Sequence, residues 1–227
     1  KIYNFDDIII FKQDGTMQVV KIDSKVFVGK GIIHCAVFKK KDDRTIYNMI
    51  YKDGKSGNTM MKRFPVSSIT RGKDYSLTKS DTGSKVLYFT ANPNGEAETV
   101  TINLRKLAKL KTLKFDINFA DLAIKGKGAG GNIVTKNIVR KVELKSRGVS
   151  TLSALKIWYD STVQRLNVDQ RGDLLGSFKS SDRILTIHKS GSIELKSFDL
   201  SNHFDSDIIH IEKNNPVKPI SVIYYDG

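Results

Sequence analysis

Cations are the residues in this sequence best suited to do chemistry, and the chemistry they suit is phosphate binding. Of 227 residues, 38 are Lys or Arg and 24 are Asp or Glu, a net charge of +14. The sequence pI is near 9.7. Residues 101–150 hold 12 Lys or Arg against 3 Asp or Glu, a net of +9 that leaves +5 for the other 177 residues. Such a balance selects anionic partners, either phosphate polymers or an anionic membrane surface. A membrane surface calls for a basic amphipathic helix, and the sequence shows none. No apolar run approaches the roughly 20 residues of a membrane span.

Other residue types with chemical potential lead nowhere. Gly126, Gly128 and Gly131 match G-x-G-x-x-G, but a dinucleotide site needs that motif to open a helix facing the pyrophosphate. Here it precedes Asn132-Ile-Val-Thr-Lys-Asn-Ile-Val139, a β-branched run that favours a strand. The expectation is a hairpin turn. Neither a P-loop nor a G-x-S-x-G elbow is present. His34, His188, His203 and His210 form no metal-ligand spacing, and Cys35, the one cysteine, has no partner for a disulfide, which fits a reducing compartment. His34 and Cys35 adjoin on a strand and should face opposite ways. Asp6-Asp7 and Asp42-Asp43 sit where turns begin. No active site, metal or cofactor is expected.

The elements that must position the cations are strands. Short apolar runs alternate with turn dipeptides: Ile8–Phe11, Asp14-Gly15, Met17–Ile22; Ile46–Tyr51, Asp53-Gly54, Thr59–Val66; Val86–Phe89, Asn94-Gly95, Thr99–Leu104. A fourth unit runs through Leu122–Ile124, the glycines 126–131 and Ile133–Val139. The fifth and sixth are Lys156–Tyr159, Asp160-Ser161, Val163–Val168 and Ile184–Ile187, Ser190-Gly191, Ile193–Leu200. Asp-Gly and Asn-Gly between apolar runs mark hairpins. Units beginning near 7, 46, 85, 121, 156 and 183, with an incomplete one from 219 to Asp226-Gly227, suggest a single all-β domain over 1–227, a propeller-like disc of six blades. Two stacked β-sandwiches are the plainer alternative. Leu104–Lys114, with leucines at 104, 107, 110 and 113, fits a helical face, 3₁₀ turns or an edge strand. Because Lys1-Ile2-Tyr3 has no initiator Met, the chain is expected to be part of a longer protein.

Cations recur at one place in this pattern. The strand after the turn carries Lys21, Lys62 and Arg63, Lys136, Arg165 or Lys196. Beyond it come basic glycine loops: Gly29-Lys30-Gly31, Arg71-Gly72-Lys73, Lys145-Ser146-Arg147-Gly148 and Gln170-Arg171-Gly172. Lys125, Lys127, Arg140 and Lys141 add to the central stretch. Any one lysine is ordinarily a solvated surface charge, but a cation returning in successive blades would line a rim matched to a phosphate backbone. The candidate nucleic-acid contacts are these sixteen residues. In the third unit Glu96 and Glu98 read as a gap in the cationic track.

The segments DDIIIFKQDGTMQVVKI, IYNMIYKDGKSGNTMMKRFPV, VLYFTANPNGEAETVTINL and IKGKGAGGNIVTKNIVRKVELKSRG resemble the C-terminal domain of the A subunit of bacterial type IIA topoisomerases, DNA gyrase and topoisomerase IV. The likeness is greatest to topoisomerase IV-like A subunits of Bacteroidetes, and it is looser in units five and six. The resemblance implies a β-pinwheel whose blades exchange strands, with duplex DNA bent around a basic outer edge. It also implies a non-catalytic, cytoplasmic, nucleoid-associated domain. Its partners would be double-stranded DNA, the cleavage core of the same subunit and the ATPase B subunit. None of the eight tyrosines should then be catalytic. The gyrase box Q-R-R-G-G-K-G has no complete counterpart, which favours decatenation or relaxation over supercoiling. The rival reading is a protein-interaction scaffold for an acidic partner.

Overall fold

Apolar alternation and turn chemistry produce strands throughout a computed structural model that describes residues 6–23, 25–108, 110–179 and 182–225. The expected Asp226-Gly227 turn and the Lys1-Ile2-Tyr3 start lie outside the described residues. Among the described residues no helix is long and apolar enough to cross a membrane. The chain forms two compact units, residues 1–151 and 152–227.

The first unit runs β1 (Asp7–Lys12), β2 (Thr16–Lys21), β3 (Ile32–Val37), β4 (Ile46–Lys52), β5 (Thr59–Pro65), β6 (Tyr75–Ser76), β7 (Lys85–Asn92), β8 (Thr99–Leu104), β9 (Lys114–Asn118), a 3₁₀ turn (Phe119–Asp121), β10 (Asn132–Thr135) and β11 (Val139–Ser146). Three antiparallel sheets result, in the orders β3-β1-β2-β6, β10-β5-β4-β7 and β11-β8-β9. The β1–β2 hairpin forms as its turn chemistry dictates. Asp14 Oδ1 accepts from the Thr16 N–H at 2.9 Å and its hydroxyl at 2.7 Å, and Gly15 takes a φ of +83° that other residues resist. Asp42 likewise opens a turn, accepting from the N–H groups of Arg44 and Thr45.

Strands cross between sheets, and this corrects the six-unit reading. The Asn94-Gly95 turn is present, its Gly95 N–H donating to Asn92 O. The flanking strands nevertheless part company, β7 pairing with β4 and β8 with β9 and β11. The fourth unit makes no hairpin and no sheet of its own. Its glycine segment lies along β5 instead: Ile124 bridges to Arg63 in parallel, Lys125 N–H donates to Arg63 O at 3.0 Å, and the Tyr51 hydroxyl donates to Gly130 O. The free edge of β5 needs backbone partners, and this strap and β10 supply them. Gly131 is required there, because a Cβ would lie 2.3 Å from Met61 O and φ is +87°. The described residues therefore form five sheets, all antiparallel, with the strand exchange of a pinwheel.

The leucine segment after β8 is the loop of the β8–β9 hairpin. Leu104 N–H donates to Leu113 O at 2.8 Å, closing its base. Two cores lie within this unit. Phe11, Met17, Tyr47, Met49, Tyr51 and Phe64 fill one; Ile50, Met61, Val100, Ile102 and Phe119 fill the other. Strands β4 and β5 are buried on both faces between them. His34 packs 5.6 Å from the Phe89 ring and burial lowers its pKa, while Cys35 is exposed.

The second unit contains β12 (Leu155–Asp160), β13 (Arg165–Asn167), β14 (Asp173–Phe178), β15 (Ile184–His188), β16 (Ile193–Lys196) and β17 (Ile208–Lys213). Its sheets are ordered β13-β12-β14 and β16-β15-β17, and both expected hairpins form. Ile157, Phe178, Ile184, Phe198 and Phe204 make its core.

Candidate nucleic-acid interface

Lys62 and Arg63 belong to the interior and not to a cationic surface, with 2% and 1% exposure. Strand β5 has a core on each side, so neither face of the strand leads to solvent. Arg63 Nε donates to Asn48 Oδ1 at 3.1 Å and Nη2 to Gly95 O at 2.9 Å. Asn48 in turn donates through Nδ2 to Glu98 Oε2 at 3.4 Å, and the charge of Glu98, itself 6% exposed, favours the protonated guanidinium without touching it. Glu98 accepts from the hydroxyls of Thr90 at 2.6 Å and Tyr88 at 3.1 Å. Burial and then the Glu98 charge push the Tyr88 pKa up. Glu98 is thus a core partner of Arg63, which corrects its reading as part of a surface gap. Glu96 accepts from the Asn94 N–H at its turn.

The Lys62 ammonium donates to Leu77 O at 2.8 Å and Lys127 O at 2.6 Å, fastening the glycine strap. Burial pushes its pKa down to about 8. Above that pH the native state has released a proton that the unfolded lysine holds to about 10.4, so stability rises with pH across this window. The opposite sign applies to Tyr47, pushed up to about 12 by burial and then by Asp42. It keeps its proton in the native state, so stability falls once pH passes 10. The urea midpoint of the 227-residue chain is therefore expected to climb from pH 7.5 to 9.5 and then drop. Lys62→Met should flatten the climb; an equal climb in that variant would assign it elsewhere.

The remaining candidates divide by whether a carboxylate already holds them. Lys21, Lys30, Lys125, Lys136, Arg140, Arg147 and Arg165 are exposed, and among the described residues they have no carboxylate partner. Arg71 is paired with Asp7 at 2.9 Å, Arg171 with Asp169 at 3.5 Å and Lys196 with Glu194 at 2.9 Å. Lys73 and Lys127 lie over the Tyr75 ring, and Lys127 Nζ also donates to Ser68 O. On the outward face of the third sheet Lys141 meets Glu143 at 2.7 Å and Lys145 meets Asp116 at 2.5 Å. The lysine in each pair holds its carboxyl below the usual range, Lys145 acting on Asp116 and Lys141 on Glu143.

Strand β11 carries the densest set. Its pairing with β8 shifts register between Val139 and Lys141. The irregularity takes Arg140 out of the alternation that places Lys141, Glu143 and Lys145 on one face. Bulges redirect side chains in this way. Arg140 lines a cleft of about 470 Å³ together with Arg105, Lys106 and Ile138. Arg105 and Lys106 escaped the sequence reading because their segment was weighed by its leucine spacing, although its run of basic residues was in plain view.

In the second unit, His188 Nδ1 lies 2.8 Å from Asp207 Oδ1, with Nε2 3.8 Å from Glu194. This is a buried imidazole hydrogen-bonded at a sheet corner, where it ties the β15 end to the segment before β17.

No curated protein matches the chain in sequence. Among solved structures, the C-terminal domain of DNA topoisomerase IV aligns at 11% identity over 93% of this chain and 80% of that one, with a TM-score of 0.42. The DNA gyrase A C-terminal domain aligns at 12% identity over 93% and 83%, with a TM-score of 0.28. The family model for the topoisomerase C-terminal domain of Bacteroidota matches residues 2–147 and 165–227. All-β, with its strands traded between small antiparallel sheets, the chain belongs to that topoisomerase C-terminal domain family.

Proposed function

We propose that this domain binds and bends duplex DNA and presents it to the cleavage core of a cytoplasmic type IIA topoisomerase, without taking part in the cleavage chemistry. The carrying observation is the set of exposed cations with no carboxylate partner among the described residues, concentrated where residues 101–150 carry a net of +9. From Arg140 on strand β11 to Arg147 just past its end the chain spans about 24 Å at the usual rise of ~3.4 Å per residue. That length suits a run of backbone phosphates. Contacts of this kind position a duplex by charge and carry no base sequence. The cleavage core and the ATPase subunit would supply catalysis, and the domain itself needs no cofactor.

The test is the salt dependence of duplex binding by the 227-residue chain. Six phosphate contacts at about 0.9 each give a log–log slope near −5. A slope shallower than about −2 would mean that the cationic surface does not hold the duplex. Polyglutamate of matched charge serves as competitor; if it bound as tightly as DNA, the acidic-partner reading would be favoured.

A further inference from the structure

We propose that the cleft between the end of β8 and the start of β11 is a phosphodiester site. Arg105, Lys106 and Arg140 hold one backbone phosphate there, and Ile138 packs against the adjoining sugar. This deepens the DNA-binding reading and rests on it.

Backbone pairing constructs the cleft. Leu104 N–H reaches Leu113 O and Arg105 N–H reaches Ile138 O, each at 2.8 Å, so the loop base and the strand start are fastened together. The register shift between Val139 and Lys141 then places Arg140 beside Arg105 and Lys106. The nearby carboxylates are engaged elsewhere. Glu143 accepts from Lys141 and from Asn103 Nδ2, and Asp116 accepts from Lys145 and the Thr101 hydroxyl. Among the described residues none of the three cleft cations has a carboxylate partner, so all three charges are available to an external anion.

The chemistry of that anion follows from the residues that border the cleft, an open depression whose wall is mostly apolar. Two guanidinium forks and an ammonium offer many donors and no acceptor, which suits the non-bridging oxygens of phosphate. Ile138 is 51% exposed and adds an apolar wall. Inorganic phosphate has nothing to place against that wall, whereas a phosphodiester carries deoxyribose. A cleft of about 470 Å³ accommodates a phosphate with its sugar.

The experiment measures anisotropy of a labelled 20-bp duplex with three 227-residue chains at several salt concentrations. They are wild type, Arg105→Gln/Lys106→Gln/Arg140→Gln, and a control of equal charge loss, Lys39→Gln/Lys40→Gln/Lys55→Gln. All altered side chains are exposed, and circular dichroism verifies the fold. Loss of one anchored phosphate should weaken the cleft variant about fivefold at 0.15 M salt and flatten its slope by about 0.9, with the control changed by less than about twofold. Equal losses in the two variants would overturn the site, leaving only net charge. An unaffected cleft variant beside a tightly binding wild type would overturn the site but spare the DNA reading. A wild type that binds no duplex would overturn both. In a further arm, inorganic phosphate is added at constant ionic strength. If it displaced the duplex from wild type but not from the cleft variant, the site would belong to a small anion and the phosphodiester assignment would fall.

Discussion

Arg63→Met is expected to destabilise the first unit by about 3–5 kcal/mol, because it leaves buried acceptors without their donor and removes the positive charge that acts on the buried Glu98 carboxylate across Asn48. The lost bonds are specific. Asn48 Oδ1 and Gly95 O each give up an Arg63 donor, and both residues are buried. A loss of this size lowers Tm by roughly 10 °C for a chain of this length. The informative comparison is the double replacement Arg63→Met/Glu98→Gln. Removing both charges takes away the desolvated carboxylate along with its partner, so the double variant should be more stable than Arg63→Met alone. Strict additivity of the two single losses would show that the pair is not coupled. Glu98→Lys is the harshest change, since it puts a second buried cation into the network that holds the Arg63 guanidinium through Asn48. No folded first unit is expected from it.

That network marks where the sequence stopped being legible. The hairpins β1–β2, β4–β5, β12–β13 and β15–β16 could be read because each is a local event, fixed by turn residues and alternation within about 20 residues. The partners of β7, β8 and β10 are set by distant packing. An Asn94-Gly95 turn looks the same whether its strands meet or separate into two sheets. Arg63 was misplaced for a related reason. A cation after a hairpin turn is ordinarily solvated, and only the second core on the far side of β5 makes its burial necessary. The near-continuous character of Thr59-Met-Met-Lys-Arg-Phe-Pro-Val66, which lacks polar alternation, was the available signal of a strand covered on both faces. On β11 the charge density was visible from composition alone, but carboxylates reaching from neighbouring strands, Asp116 above all, were not.

Those carboxylates set a ranking among the cations on and beside β11, and duplex affinity should follow it. Reversing Lys136, Arg140 and Arg147 to Glu removes three exposed charges that no carboxylate holds among the described residues. At 0.15 M salt each phosphate contact contributes about fivefold through counterion release, so the triple variant should lose a hundredfold or more. Reversing Lys141 and Lys145 should cost less per residue, because in the wild type each spends part of its charge on Glu143 or Asp116. Solvent screens exposed pairs of this kind, so the fold tolerates their loss and the lysines can be freed. Asp116→Asn with Glu143→Gln is accordingly expected to raise duplex affinity severalfold and to steepen the salt slope, bringing two further cations to the phosphates. These changes are read by anisotropy at matched ionic strength, with thermal unfolding as the check on the fold. Equal losses per residue from the two reversals, together with no gain from removing the carboxylates, would show that duplex affinity follows total charge and that the pairing on β11 has no part in it.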